Sequence, residues 1–172
     1  MKHVIAASAA AFLLGACAST PIEPLRATAQ LQPTKGSKTF GEATFEQVAD
    51  KVRVIVFAQG LKPEQEHGLH IHEVGDCSSG DGMSAKGHFN PLGKPHGHPG
   101  SAERHAGDLP ALKANKAGRA NVQVDLDLIT VTPGPASIVG RGLIVHAAPD
   151  DYKTQPTGNA GARIACGVIQ PG

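Results

Sequence analysis

Residues 121–128 read NVQVDLDL and alternate strictly between polar and apolar side chains. The apolar positions are Val122, Val124, Leu126 and Leu128. Because successive side chains of a β-strand point to opposite faces, this period of two predicts a strand with one buried face. Residues 51–58, KVRVIVFA, have the same pattern, with valine at positions 52, 54 and 56. Both stretches indicate a β protein.

Further runs have a strand-like composition and are separated by Gly, Pro and Asn turn signals. They cover residues 27–33, 39–48, 68–74, 140–146 and 162–169. No stretch keeps the period of 3.6 that an amphipathic helix requires. Seven or eight short strands with one long insertion predict an all-β, Greek-key sandwich or barrel.

The composition agrees with one loop-rich β domain and narrows the partners. The chain has 172 residues, of which 21 are Gly and 13 are Pro, and this abundance of turn formers suits short strands joined by loops. Basic and acidic residues number 16 and 15, a net charge of +1, which is too small to indicate a basic face for a nucleic acid. We therefore expect no nucleic-acid partner.

The N-terminus has the pattern of an export signal. A positive start, MKH, precedes an apolar run over residues 4–14 that is too short to span a bilayer. Residues 14–17, LGAC, resemble the bacterial lipobox. This resemblance predicts a signal peptide at 1–16, lipidation of Cys17 and a tether at 17–26.

Two interpretations of this leader remain open. The alternative to a lipoprotein is an ordinary secretory signal with an A-x-A cleavage site at residues 16–18. Both predict an exported protein of the periplasm or cell envelope, with the folded domain at 27–172. If Cys17 carries lipid, we expect that lipid to be the protein's contact with the membrane. Cys77 and Cys166 are then the two cysteines that can pair with each other. An oxidising compartment favours a disulfide between these two, and a pair of buried free thiols is the alternative.

Residues 67–108 hold seven of the nine histidines, interleaved with Gly, Pro and Asp. Neutral imidazole is a common ligand for both copper and zinc. His70 and His72 are two apart on a predicted strand, so both rings face one side and can converge on one ion while Ile71 packs into the core. His146 ends an apolar run and is available to join them.

Four more donors occupy a loop rich in Gly and Pro: His88, His96, His105 and Asp108. Three nitrogens and one carboxylate oxygen complete a tetrahedral zinc shell with no open position. A closed shell predicts a structural ion and argues against a zinc hydrolase, which needs a metal-bound water.

A wider resemblance depends on longer motifs. They are GLHIHEVGDC (68–77), GHFNPLGKPHG (87–97), RHAGDLP (104–110), GRGLIVHAAPDD (140–151) and GNAGARIACGVI (158–169). In this order and spacing they resemble the exported bacterial branch of the copper/zinc superoxide dismutase family. The resemblance implies a flattened eight-stranded Greek-key β-barrel, an immunoglobulin-like sandwich with long metal-binding and electrostatic loops. It also implies one copper and one zinc ion per subunit.

By motif position, the resemblance implies two ligand sets that share one residue. Copper would be held by His70, His72, His88 and His146, and zinc by His88, His96, His105 and Asp108. Asp150 would accept the free N–H of one copper histidine and one zinc histidine, and so fix the orientation of both rings. Arg163 would hold a small anion beside copper. We interpret His67 as a structural hydrogen-bonding residue and His98 as a surface or accessory metal-binding histidine.

The implied reaction is disproportionation of superoxide to dioxygen and hydrogen peroxide as copper alternates between Cu(II) and Cu(I). His88 would act both as a ligand and as a general acid. A non-enzymatic copper/zinc storage or delivery protein is the alternative, although it would not need Arg163, Asp150 or a bridging histidine.

The chain departs at one position from the eukaryotic members of the family that it resembles. Pro156 stands where they usually have a substrate-steering lysine, and Lys86, Lys94 or Lys153 can supply the field instead. Subunit contacts differ between branches of the family, and a homodimer is one expected assembly.

Overall fold

The computed structural model describes residues 25–172, so the predicted signal peptide and Cys17 lie outside the described residues. Within this range there is no α-helix, and no helix is long and apolar enough to cross a membrane. A 3-10 turn covers Met83–Ala85. The strands are β1 (Arg26–Pro33), β2 (Phe40–Val48), β3 (Lys51–Gln59), β4 (Glu66–His67), β5 (Leu69–His72), β6 (Leu112–Lys113), β7 (Arg119–Leu126), β8 (Gly142–His146) and β9 (Arg163–Pro171).

Seven strands form one antiparallel sheet in the order β5-β8-β9-β1-β2-β3-β7, and β4 pairs with β6. Strands β1 to β3 form a meander, whereas the connections from β3 to β4 and from β7 to β8 cross to the other side of the sheet. These crossing connections give the Greek-key arrangement. The longest loops, between β5 and β6 and between β8 and β9, carry most of the predicted site residues.

Residues 107–114 bring the two edges of the sheet together. They run beside β4 and β5, where the Leu109 N–H donates to the carbonyl of Leu69 at 3.3 Å and the Ala114 N–H to that of Gln65 at 2.9 Å. A turn then leads into β7 at the opposite edge. Side chains from both edge strands belong to one hydrophobic core. The predicted all-β Greek-key barrel is confirmed, with eight strands if β4 and β5 are taken as one.

The alternating pattern predicts the buried face of β3 correctly, whereas in β7 Leu126 is buried and Val122 and Val124 are half-buried. Val52, Val54 and Val56 of β3 are fully buried. The predicted strand over 121–128 instead covers Arg119–Leu126. It ends there because Leu126 pairs with Val52 near the start of β3, so the next residues have no strand to pair with.

The strand predicted over 68–74 begins at Leu69 and ends at His72, and an interruption at Gly68 separates it from β4. The Gly68 N–H donates to the carbonyl of Ala148 at 2.9 Å instead of to a neighbouring strand. This interruption lets the segment turn from pairing with β6 to pairing with β8.

Candidate metal centre

Strand β5 provides two histidines on the face that points away from the barrel interior. Leu69 and Ile71 belong to the core, and His70 and His72 alternate with them. All four residues are buried, because loops cover the outer face of the strand.

The segment carrying His88 lies along β5. The Phe89 N–H donates to the carbonyl of Ile71 at 2.8 Å, and the Gly107 N–H donates to the carbonyl of Phe89 at 2.9 Å. A side chain at position 107 would overlap the carbonyl oxygen of Ile71, so the close approach of these segments requires glycine there. The sequence thereby brings a residue from a long loop next to the two histidines of β5.

The first ligand group is made only of imidazoles. One ligand nitrogen from each ring lies within 4.8 Å of the others, and the rings are those of His70, His72, His88 and His146. Each ring also has a buried nitrogen without a hydrogen-bond partner: Nδ1 of His70 and Nε2 of the other three. Buried polar atoms are normally paired, so four unpaired nitrogens in one cluster indicate a bound cation. Four imidazole nitrogens are a donor set that suits copper.

The second nitrogen of these rings is held by the protein. His70 Nε2 donates to Oδ2 of Asp150 at 2.6 Å. His72 Nδ1 donates to the carbonyl of Lys86 at 2.8 Å, and His146 Nδ1 donates to that of Gly161 at 3.2 Å. Each bond fixes the tautomer and turns the lone pair of the other nitrogen towards the cluster.

The second ligand group combines three imidazoles with one carboxylate. Oδ1 of Asp108 lies 2.9 Å from His88 Nδ1, 3.0 Å from His96 Nδ1 and 3.4 Å from His105 Nδ1. The Nδ1 atoms of His88 and His105 are 3.4 Å apart. Tetrahedral zinc with ligand distances of about 2.0–2.1 Å separates its ligand atoms by about 3.3 Å. The donor set and its spacing therefore fit a structural zinc ion.

His88 belongs to both groups. Its Nδ1 faces the carboxylate of Asp108, and its Nε2 is the unpaired nitrogen on the imidazole side. The side chain is fully buried. One buried ring therefore offers a nitrogen to each of two adjacent ligand groups.

Burial changes the acid–base properties of the imidazole group. It lowers the pKa of His70, His72 and His146, and it lowers the pKa of His88 to about 4 despite the bond to Asp108. These rings are therefore neutral at physiological pH. Neutral imidazoles are the form that binds metal.

Asp150 connects the two ligand groups. Its Oδ1 accepts from His96 Nε2 at 2.9 Å, while its Oδ2 accepts from His70. Burial opposes the charge of this carboxylate, but the bonds from the two histidines and from the Tyr152 N–H lower its pKa overall. For His96, burial acts against the charged form, yet bonds to Asp108 and Asp150 raise the pKa to about 9.

Arg163 lies at the start of β9, half-buried, next to the disulfide loop. Its Nη1 donates to the carbonyl of Gly82 at 2.6 Å, and its Nη2 donates to that of Lys86, which also orients His72. The loop is joined to β9 by the Cys77–Cys166 disulfide, which confirms the predicted pair and rules out two free thiols.

The two remaining predicted histidines lie outside both groups. His67 is buried and its Nδ1 donates to the carbonyl of His146 at 2.8 Å. His98 is exposed, and its ring contacts Tyr152 edge-on.

Sequence reasoning missed contacts that involve the backbone. The carbonyl of Lys86 has no residue signature, because any amino acid supplies one. The amide of Gln155 bonds to the backbone of His96, and nothing in the surrounding sequence marks it. Gly158 is the residue of this set that a glycine in the sequence could have indicated. Its φ is +65°, and a Cβ there would overlap the Asp150 carboxylate and His96 Nε2.

Comparisons with known proteins agree with this centre. Residues 39–169 match the family described as copper/zinc superoxide dismutase. Over 152 residues the chain is 41% identical to "Superoxide dismutase [Cu-Zn] 2" of Aquifex aeolicus. The aligned region covers 86% of this chain and 88% of that protein. It is 42% identical over 154 residues to "Superoxide dismutase [Cu-Zn]" of Paramecium bursaria Chlorella virus 1, covering 86% of this chain and 79% of the relative.

A third relative extends over nearly the whole chain. The "Extracellular superoxide dismutase [Cu-Zn]" of Drosophila melanogaster is 39% identical over 180 residues, 98% of both chains. Together with two adjacent ligand groups that share a histidine, these matches show that the chain belongs to the copper/zinc superoxide dismutase family.

Proposed function

We propose that this protein disproportionates superoxide, using one copper and one zinc ion per subunit. The observation that carries the proposal is the buried ring of His88, which offers one nitrogen to an all-imidazole group and the other to a closed nitrogen–oxygen group. A metal store needs two ligand sets but gains nothing from a ring shared between them.

We assign copper to His70, His72, His88 and His146, and zinc to His88, His96, His105 and Asp108. The unpaired nitrogens of the first group and the tetrahedral spacing of the second support this assignment. Copper, when bound, exchanges single electrons with superoxide. Zinc in a closed protein shell has no redox role and stabilises the position of His88.

His88 and Asp150 have distinct roles in this proposal. His88 Nε2 has no protein partner among the described residues, so it is the atom that can hold a proton and deliver it to the reduced substrate while Nδ1 stays on the zinc side. Asp150 accepts hydrogen bonds from His70 and His96, and it thereby holds the two ligand groups in a fixed position relative to each other.

Arg163 is the residue that would hold the superoxide anion. Two of its N–H groups are occupied by the carbonyls of Gly82 and Lys86, which fix the guanidinium plane. A guanidinium has five N–H donors and stays charged, so it can also bind a small anion. Of the lysines predicted to steer substrate, Lys94 pairs with Glu103 at 2.8 Å, which leaves Lys86 and Lys153 as the better candidates.

Purified protein tests the activity directly. We expect superoxide consumption by protein loaded with both metals, loss of that activity on removal of copper, and its return on adding copper back. Tight binding of both metals without superoxide consumption would support the storage alternative.

We propose that the chain is exported, with a signal peptide at 1–16, a lipid on Cys17, a tether at 17–26 and the enzyme domain at 27–172. The LGAC stretch supports lipidation, and the disulfide requires an oxidising compartment such as the periplasm or cell envelope. The extracellular relative is consistent with export. Mass spectrometry should find acyl groups on Cys17 and none in Cys17→Ser, whereas an unmodified terminus at Ala18 or later would indicate an ordinary secretory signal.

We also propose a homodimer. Phe40 is 46% exposed, and Ile55 and Phe57 of the paired strand are 40% and 37% exposed, on the outer surface of β2 and β3. Exposed aromatic side chains on adjacent strands are typical of interaction surfaces. Sedimentation velocity should give a dimer that Phe57→Glu converts to monomer, and a wild-type monomer at all concentrations would contradict the proposal.

A further inference from the structure

Gln155 joins the loop after β8 to the backbone of His96 through one amide group. Its Oε1 accepts from the His96 N–H at 2.8 Å, and its Nε2 donates to the His96 carbonyl at 2.9 Å. The two residues are 59 positions apart in the sequence. The side chain thus satisfies both backbone groups of one residue, as an adjacent strand would.

His96 needs such support because its segment belongs to no strand. The ring is held on both sides, by Asp108 at Nδ1 and by Asp150 at Nε2. On the backbone, the following N–H, that of Gly97, donates to Oδ2 of Asp108 at 3.1 Å. The two bonds from Gln155 complete the set and hold the peptide groups on either side of the His96 Cα.

The chemistry of the contact requires glutamine. A glutamate at this position would have no N–H for the His96 carbonyl, and it would add negative charge near Asp108 and Asp150. An asparagine is one methylene shorter and cannot reach both backbone groups from the same Cα. The close approach of Gly158 to His96 and Asp150 keeps the loop at the distance that the glutamine spans.

We propose that Gln155 is a positioning residue for zinc, which holds the backbone of His96 so that its ring meets the other zinc ligands without rearrangement. This rests on the proposed zinc assignment. Gln155 and Asp150 lie in the same loop, which leads to Gly161 and Arg163. A variant without the Gln155 contact keeps every zinc ligand. In that variant, however, zinc binding would also have to order the segment that carries His96.

The test compares Gln155→Ala, Gln155→Asn and Gln155→Glu with wild type. The matched control is Gln170→Ala, an exposed glutamine on β9. Zinc affinity of metal-free protein is measured by chelator competition, and the ligand geometry by the visible absorption of Co(II) bound in place of zinc. Thermal unfolding of each metal-free variant reports on the fold separately.

We expect all three variants at position 155 to bind zinc about 10-fold or more weakly, in the range typical of residues that orient metal ligands. The Co(II) absorption should change, and the control should match wild type in both measurements. Wild-type zinc affinity and Co(II) spectrum in Gln155→Ala would overturn the inference. So would a loss of metal-free stability large enough to explain the weaker binding. A wild-type protein that takes up no zinc would overturn the proposed function itself.

Discussion

The guanidinium of Arg163 is fixed by two backbone carbonyls, those of Gly82 and Lys86. We predict that Arg163→Ala lowers kcat/KM for superoxide about tenfold or more, since a hydrogen bond to a charged group contributes about 1.5–3 kcal/mol. Arg163→Lys should recover part of the loss, because the charge is kept and the planar fork is not. Pulse radiolysis measures the rate, with copper content measured alongside.

Arg53 provides the control, because it pairs with Asp125 on the outer surface of the barrel at 3.0 Å. Arg53→Ala should leave turnover unchanged. Unchanged turnover in Arg163→Ala, with copper still bound, would remove its role in holding the anion.

Asp150 and Asp151 are neighbours with different surroundings. The Asp150 carboxylate is buried between His70 and His96, whereas Asp151 is exposed and accepts from Thr154 and Lys153 in its own turn. We predict that Asp150→Ala weakens zinc binding about 10–100-fold and alters the copper EPR spectrum, because both rings lose the group that orients them. Asp151→Ala should resemble wild type. Equal zinc affinities in the two variants would contradict the role assigned to Asp150.

The strands differ in how far the sequence predicts them. Period-two runs such as β3 are predicted well, because one buried face requires alternation. The interruption at Gly68 and the end of β7 were not predicted, because both depend on which segment lies alongside. The histidine pair on β5 follows from strand geometry, whereas the Gln155 contact joins segments 59 residues apart without any local pattern. The features that were not predicted therefore depend on contacts between segments that are distant in the sequence.

The disulfide fixes the loop between β5 and His88 to strand β9. We predict that replacing both Cys77 and Cys166 by Ser lowers the free energy of unfolding by roughly 4–5 kcal/mol, the chain-entropy value for a loop of 89 residues. Activity should also fall, because the same loop carries the carbonyls that hold Arg163. Denaturant unfolding of the metal-free double variant measures the first effect. A stability within about 1 kcal/mol of wild type would contradict the entropic account.

The stability of the whole metal-free molecule should depend on pH through its buried histidines. The pKa of His88 is lowered to about 4 from 6.5, and those of His70, His72 and His146 are lowered as well. The unfolded chain binds these protons first, so stability falls as the pH falls from 6.5 towards 4. The His88 shift alone corresponds to about 3 kcal/mol.

His96 has the opposite effect on the pH dependence of stability. Its pKa is raised to about 9, so its contribution is complete below pH 6.5 and is lost as the pH rises through 9. We therefore predict a stability maximum near neutral pH, measured by denaturant unfolding of metal-free protein from pH 4 to 10. His98→Ala, which changes an exposed ring, should give the same profile. Stability that increases from pH 6.5 to 4 would contradict the prediction.

The two metal sites of the whole molecule share one ring, that of His88. The most direct measurement is a crystal structure of the oxidised, fully metallated protein, with the two ions distinguished by anomalous scattering at the copper and zinc edges. We predict copper on Nε2 of His88 and zinc on its Nδ1. Two ions bound without a common histidine, or a His88 ring that binds neither, would contradict the central claim.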